Sequence, residues 1–449
     1  MEKSSGGEVV LLFDYFNRGS LDLFDSFKNA GRNCHCVVIN DDGFLPEDVT
    51  NVFEYFLGDF DDGSCPGKPL YFNQIKVPDY WEISANNTSG LIKDKGKERG
   101  RIFFQPPTHK RLVSLVDFLD EDGNVRITEH YNKYGALYAK TAFNKDSKKV
   151  TKAYFNSRGQ EVVVENFVTG DIILDWEGTH QIFKSRTDFV SFFIRYMGWV
   201  SCPIYFNSLS VPFFVSNSLP ATEGKKDILF WQEQTRGTVP GNMQVILQNR
   251  ASRCSRVIVQ NRPSYEALMA LKVPKDMVTE LGFIYSFKKQ NHGKPEALIC
   301  TNTENVEKLK EILTAVPEVK FHVTALTEMS GQLLAHEKYE NVIMYPNIKA
   351  ATLERLFIQC DFFLDINHEG EIVEATRTAF IHNQLILAFS ETSHGPEYTS
   401  RENIFDIKDY QNLIDRLKSL VSNKEALEAA LERQRMDGLT ASVADYKVI

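Results

Sequence analysis

From Leu119 the chain repeats itself every 12 residues. Leu119-Asp120 is followed by Gly123, Tyr131-Asn132 by Gly135, Phe143-Asn144 by Ser147 in the glycine's place, Phe155-Asn156 by Gly159, and Phe167 by Gly170. The runs between, NVRITEHY, ALYAKTAF, KVTKAYF and QEVVVENF, are rich in β-branched and aromatic residues, which fit a pleated, half-buried surface. Asn and Gly supply the positive-φ backbone that joins antiparallel strands. The period predicts an eight-residue strand plus a four-residue turn per repeat, a β-meander. Upstream runs such as LYFNQIKVPDYWEI and GRIFFQ extend the sheet. Natural proteins rarely leave a long sheet edge bare. Either this meander packs onto the rest of its own chain, or it pairs with another chain. In the second case Tyr131, Phe143, Phe155 and Phe167, at the strand ends, are the candidate partner contacts.

The flanking regions read as α/β. EVVLLFD is a buried-strand run, SLDLFDSFKNAG an amphipathic helix closed by Gly31, and CHCVVIN a second strand. DILFWQ, RVIVQN and TELGFIYSF then alternate with helical patterns. After the charged break KKQNHGKPE, so do ALICTN, KFHVTAL, NVIMYP, CDFFLDIN and QLILAFS. Such alternation predicts parallel, doubly wound sheets. The expected organisation is a first Rossmann domain over residues 1–63 and 189–288, the meander inserted over 64–188, and a second Rossmann domain over 289–449. DYQNLIDRLKSLVSNKEALEAALERQR is expected to form one long terminal helix crossing back to the first domain. Two such sheets with a cleft between them form the two-Rossmann, GT-B-like glycosyltransferase architecture.

Composition removes several functions. The 449 residues, 43% hydrophobic and 25% charged, are those of a multidomain globular chain. A net charge of −9 argues against a nucleic-acid groove and for a soluble cytosolic protein. The most apolar window, residues 189–206, contains Arg195, Gly198 and Pro203 and falls short of the ~20 apolar residues of a membrane span. It is expected to be a buried helix leading into a strand. Seven cysteines without CxxC spacing, and ten histidines without an HxxxH pair, predict reduced thiols and no structural metal. No cofactor is expected. No Ser-His-Asp elbow, P-loop or HExxH occurs.

A cleft of this architecture that transfers a sugar with retention must neutralise a departing nucleoside diphosphate, and without a metal that takes cationic side chains. The segment after the first strand of the second domain is CTNTENVEKLKE. Asn302 stands among its first residues, no Arg occurs, and Lys308 is expected about two turns into a helix. In DINHEGEIVEATRTAF the acidic pair Glu369 and Glu374 is five positions apart. On one helix that spacing sets them ~140° from each other. Asn302, Glu369 and Glu374 therefore mark a degenerate donor site, and no catalytic residue is expected. The first turn, FDYFNRGS, has one glycine where a phosphate cradle has several. On the first-domain side, Trp231, Gln232, Glu233 and Arg236 could line a groove for an extended peptide, or form a capped loop. An active transferase with an unconventional charge set would draw on Lys288, Lys289 or Arg377. A protein-binding scaffold whose working part is the meander is the other alternative.

LFDYFN, GFLPEDVT, YFLGDF, GKPLYFNQIKVPDYWEI, DEDGNVRITEHYNKYG, VVVENFVTGDIILDW, LFWQEQTRG and HVTALTEMS resemble the stabilising subunit of the accessory-Sec O-linked N-acetylglucosamine transferase, which modifies serine-rich-repeat adhesins of Gram-positive cocci. The resemblance implies two Rossmann domains with an extended β-sheet domain inserted in the first. It implies no transferase activity alone, and association with a homologous catalytic chain that supplies the UDP-sugar site. It also implies a role in binding a Ser/Thr-rich acceptor, and a cytosolic location with peripheral membrane association.

Overall fold

Asp120, Asn132, Asn144 and Asn156 hold four successive turns of one antiparallel sheet in the same way. Each side-chain oxygen accepts the backbone N–H groups two and four residues further on, at 2.9–3.1 Å. Such local bonds compete with the strand ladder and pull these residues out of it. The expected division of the repeat is thereby corrected. Val125–Tyr131, Leu137–Phe143 and Lys149–Phe155 are strands of seven residues, so the turns between them have five. The fourth turn residue takes positive φ, 84° at Gly123 and 57° at Ser147, the one repeat without glycine.

This computed structural model describes residues 8–40, 42–60 and 65–449. The expected boundary between residues 63 and 64 lies outside them. The chain divides into two compact units, Met1–Glu280 and Leu281–Ile449. No helix among the described residues is long and apolar enough to cross a membrane.

The first unit holds the meander, a ten-stranded sheet in chain order from Glu82–Ala85 to Thr179–Phe183. Its two faces are covered at different ends. Along one face runs the row Leu115, His130, Ala139, Tyr154, Val163 and Leu174. The later members of this row pack against the unit's α/β part: Tyr154 stacks on Phe53 at 4.8 Å, and Phe56 meets Trp176 edge-on at 5.4 Å. The neighbouring row points the other way. There Ile102 and Val116 are covered by Ile75, Leu70, Phe72 and Trp81 from the preceding segment. The meander thus packs on its own chain. The far end of that second row, Ile173 and Ile182, is left 40% and 61% exposed.

The other sheet of this unit is parallel and seven-stranded, in the order Val278–Glu280, Cys254–Val259, Asp227–Trp231, Ile204–Phe206, Val9–Tyr15, Cys34–Asn40, Val49–Asn51. The apolar window of residues 189–206 supplies the helix Arg186–Tyr196, with Phe189, Val190, Phe193 and Ile194 buried, and the strand Ile204–Phe206. Asp227 and Arg253, both fully buried, lock the sheet's centre. The guanidinium donates to both carboxylate oxygens, at 3.0 and 3.2 Å, and to the carbonyls of Val200, Cys202 and Pro220. Ile204 N–H and Ser216 Oγ complete the carboxylate's shell. Burial pushes the Asp227 carboxyl up, against the hold of Arg253.

The second unit is a parallel six-stranded sheet in the order Val342–Tyr345, Lys320–Thr324, Glu296–Cys300, Phe362–Asp365, Leu385–Phe389, Ile404–Phe405. The single terminal helix expected from the sequence is two, Tyr410–Ser422 and Lys424–Asp437. Asn423 is extended between them, and its side chain caps the second by accepting from Ala426 N–H. A good N-cap residue has interrupted a continuous amphipathic pattern.

Candidate functional site

In a doubly wound sheet, ligands bind beyond the carboxyl ends of the strands. In the second unit those ends are tied to one another. Past Glu296–Cys300, the stretch around Asn305 meets the stretch past Phe362–Asp365. Glu307 N–H donates to Ile366 O at 2.7 Å, His368 N–H to Asn305 O at 3.0 Å, and His368 Nε2 lies 2.8 Å from Glu307 Oε2. A Cβ on Gly370 would lie 3.7 Å from Asn302 Nδ2, so Asn302 stands beside the Glu369–Gly370 turn. Asn302 also lines a depression of about 230 Å³ with Glu304 and Glu328. It is smaller than an ordinary ligand pocket, and its carboxylates repel an anion.

The expected helix through the acidic pair is absent. Glu369, Val373 and Glu374 all have left-handed backbone, with φ of 67°, 47° and 48°, and the helix starts only at Ala375. Their separation is therefore set by a loop, not by helical rotation. Glu371 makes the contact a helix N-terminus favours, accepting from Thr376 N–H at 2.6 Å. Lys308 is likewise not inside a helix. It precedes Leu309–Ala315 with φ of 51°, its ammonium 3.5 Å from Glu307 and over the Tyr410 ring.

At the centre lies a cation the sequence reading missed. Asp365, last residue of its strand and 2% exposed, takes His394 Nδ1 at 2.6 Å and His394 N–H at 2.6 Å. Nε2 of the same ring is 2.5 Å from Glu369 O. The hydrogen bond to Asp365, opposed by burial and backed by the Glu369 carbonyl, raises His394 to about 9. The ring is thus an imidazolium at neutral pH, with both N–H groups engaged inside the loop. Nearby, burial and Glu371 push the Glu397 carboxyl up. The arrangement closes a loop; it offers a departing diphosphate no donor from His394. The reading that enlisted Lys289 is corrected by position. Its ammonium bonds Cys360 O at 2.5 Å and pairs with Asp361, before the strand and at the opposite end of the sheet.

In the first unit the turn after Val9–Tyr15 is covered from within. Gln232 Nε2 donates to Gly19 O and Gln260 Oε1, both at 2.9 Å, and a Cβ on Gly19 would stand 2.5 Å from Gln232 Oε1. Trp231 is 3% exposed in the core, its Nε1 donating to Thr235 Oγ1 at 3.1 Å. The following loop is pinned by Ser264, which donates to Glu233 O and accepts from Thr235 N–H. Trp231, Glu233 and Arg236 do come together, with Leu209, Thr238 and Pro240, around an open depression of about 650 Å³. Gln232 is turned away from it. Of the meander aromatics, Tyr131 is 7% exposed and bonds Glu129, which removes it from any surface, whereas Phe143, Phe155 and Phe167 are half-buried.

Four family descriptions match along the chain: a GtfB N-terminal domain over residues 10–56, a GtfB middle domain over 81–184, a GtfB third domain over 186–271 and a GftB/GlyA-F C-terminal domain over 297–434. A Streptococcus agalactiae protein described as UDP-N-acetylglucosamine–peptide N-acetylglucosaminyltransferase stabilizing protein GtfB is 40% identical over 443 residues, 98% of each chain. Its Streptococcus gordonii namesake is 40% identical over 98% of this chain and 97% of its own. Among solved structures, a crystal structure of a GtfA/B complex bound to UDP and GlcNAc contains a chain 38% identical, with a TM-score of 0.91 and 98% of each chain covered.

Proposed function

Since the chain belongs to the GtfB family of stabilizing proteins, we propose that it is the non-catalytic, acceptor-binding subunit of a protein O-GlcNAc transferase. It assembles with a homologous catalytic chain, which holds UDP-GlcNAc, and presents Ser/Thr-rich polypeptide to it. A serine-rich-repeat adhesin awaiting accessory-Sec export is the substrate this reading assigns. The observation that carries it is the end-to-end match, meander included, to proteins named as stabilizers of the transferase.

Catalytic degeneracy is part of the proposal. It is supported by His394, whose two ring N–H groups are engaged by Asp365 and Glu369, and by the loop geometry of Glu369 and Glu374. A disordered, polar acceptor binds with modest affinity per contact and suits an open depression edged by charged and amide side chains. Glu233 and Arg236 are the residues assigned to it, with Trp231 as its buried floor. Phe143, Phe155 and Phe167 are assigned to the contact with the catalytic chain. A cytoplasmic location, peripheral at the membrane, belongs to the same reading.

Co-purification with the catalytic neighbour tests it: GlcNAc transfer to a serine-rich peptide should rise several-fold when this chain is added. This chain alone should bind the unglycosylated peptide. Equal transfer with and without it would overturn the proposal.

A further inference from the structure

We propose that Glu296, His322 and Cys360, in the second unit, form a binding site for a divalent transition-metal ion of the zinc class. Glu296 opens the strand Glu296–Cys300, His322 lies in the neighbouring Lys320–Thr324, and Cys360 immediately follows the helix Ala350–Gln359. They meet at the amino ends of the strands, away from the His394 loop. Their ligand atoms lie within 4.8 Å of one another, and Glu296 Oε2 is 3.5 Å from His322 Nε2. A tetrahedral ion with bonds of about 2.0–2.3 Å has ligand–ligand edges of roughly 3.3–3.7 Å. The carboxylate–imidazole edge therefore already fits, and the longest needs to contract by at most about 1 Å, within reach of a thiol rotation.

A second observation points the same way. His322 is 2% exposed, and its buried Nε2 makes no hydrogen bond of good geometry, its nearest polar neighbour being Glu296 Oε2 at 3.5 Å. Nδ1 is 3.0 Å from the Tyr345 hydroxyl. With Nδ1–H donating there, the Nε2 lone pair faces the other two ligands, as the outer-shell bond of a metal-ligating histidine arranges. Gln359 and Lys294 bond the Glu296 carboxylate at 2.5 and 2.9 Å and fix its direction. On binding, the Cys360 S–H gives its proton to solvent and a metal–sulfur bond forms. Two anionic ligands then balance the ion's charge, leaving a fourth position for water. Sulfur, nitrogen and oxygen together favour Zn²⁺ or Co²⁺ over Mg²⁺ or Ca²⁺. The ligands are 26 and 38 positions apart, so no spaced motif announces them.

The test is titration of the chelator-treated full chain with Co²⁺. One equivalent should bind, with visible d–d absorption and a thiolate-to-cobalt charge-transfer band. Cys360→Ser should remove that band, Cys34→Ser should keep it, and Glu296→Gln should weaken binding at least about tenfold. Absence of saturable uptake, or a band that survives Cys360→Ser, overturns the site. Should Cys360→Ser fail to fold, the Glu296→Gln titration decides, with unchanged affinity counting against it.

Discussion

His394 and Asp365 lie 2.6 Å apart, imidazole Nδ1 to carboxylate oxygen, although 29 positions separate them in the chain. Because the fold raises His394 from 6.5 to about 9, it favours the protonated ring. The stabilisation is fully present below the unfolded value near 6.5, and is lost as pH rises through about 9. Hydrogen exchange of residues 366–374, corrected for intrinsic rates, should speed up across that window, and His394→Gln should flatten the dependence. Identical profiles for the two proteins would show that the pair does not hold the loop.

Asp227→Asn should be among the most damaging single changes in the first unit, since it leaves the fully buried Arg253 guanidinium unneutralised. Breaking a buried pair from one side costs about 3–5 kcal/mol. Urea unfolding should report a loss of that order. The double change Asp227→Leu with Arg253→Met should recover part of it, because no charge is then left buried.

The turns of the meander give a graded series. Gly123 has open space around its missing Cβ, so Gly123→Ala should cost only the backbone term, about 1 kcal/mol. At Gly135 a Cβ would meet Lys68 O at 2.5 Å, and Gly135→Ala should cost clearly more. Ser147→Gly, at a φ of 57°, should stabilise. Denaturant midpoints in the order Ser147→Gly, wild type, Gly123→Ala, Gly135→Ala would confirm the series, and any inversion would contradict it.

The two sides of the first-unit depression should separate. Trp231→Ala empties core space and should destabilise by about 3–5 kcal/mol. Glu233→Ala with Arg236→Ala should leave the melting temperature unchanged and weaken serine-rich peptide binding. Unchanged peptide affinity would remove this depression as the acceptor site.

The meander was legible because its period is written in side chains: an Asp or Asn at 120, 132, 144 and 156, and a glycine three residues on in all but one repeat. Strand–helix alternation likewise marked both parallel sheets. The donor-site region was legible in composition and not in geometry. Left-handed backbone at Lys308, Glu369, Val373 and Glu374 put those residues off the helices that periodicity suggested. The pairing of Asp365 with His394 links the end of one strand to the loop after its neighbour, a contact no local spacing encodes. Asn423 shows the converse, one local capping residue overriding an unbroken amphipathic pattern.

On the proposed function, this chain should transfer no sugar by itself. The most direct test is UDP release from UDP-GlcNAc by the purified chain with an unglycosylated serine-rich peptide. Release should be no faster than without protein; steady turnover that glycosylates the peptide would make this chain a transferase in its own right and overturn the proposed function.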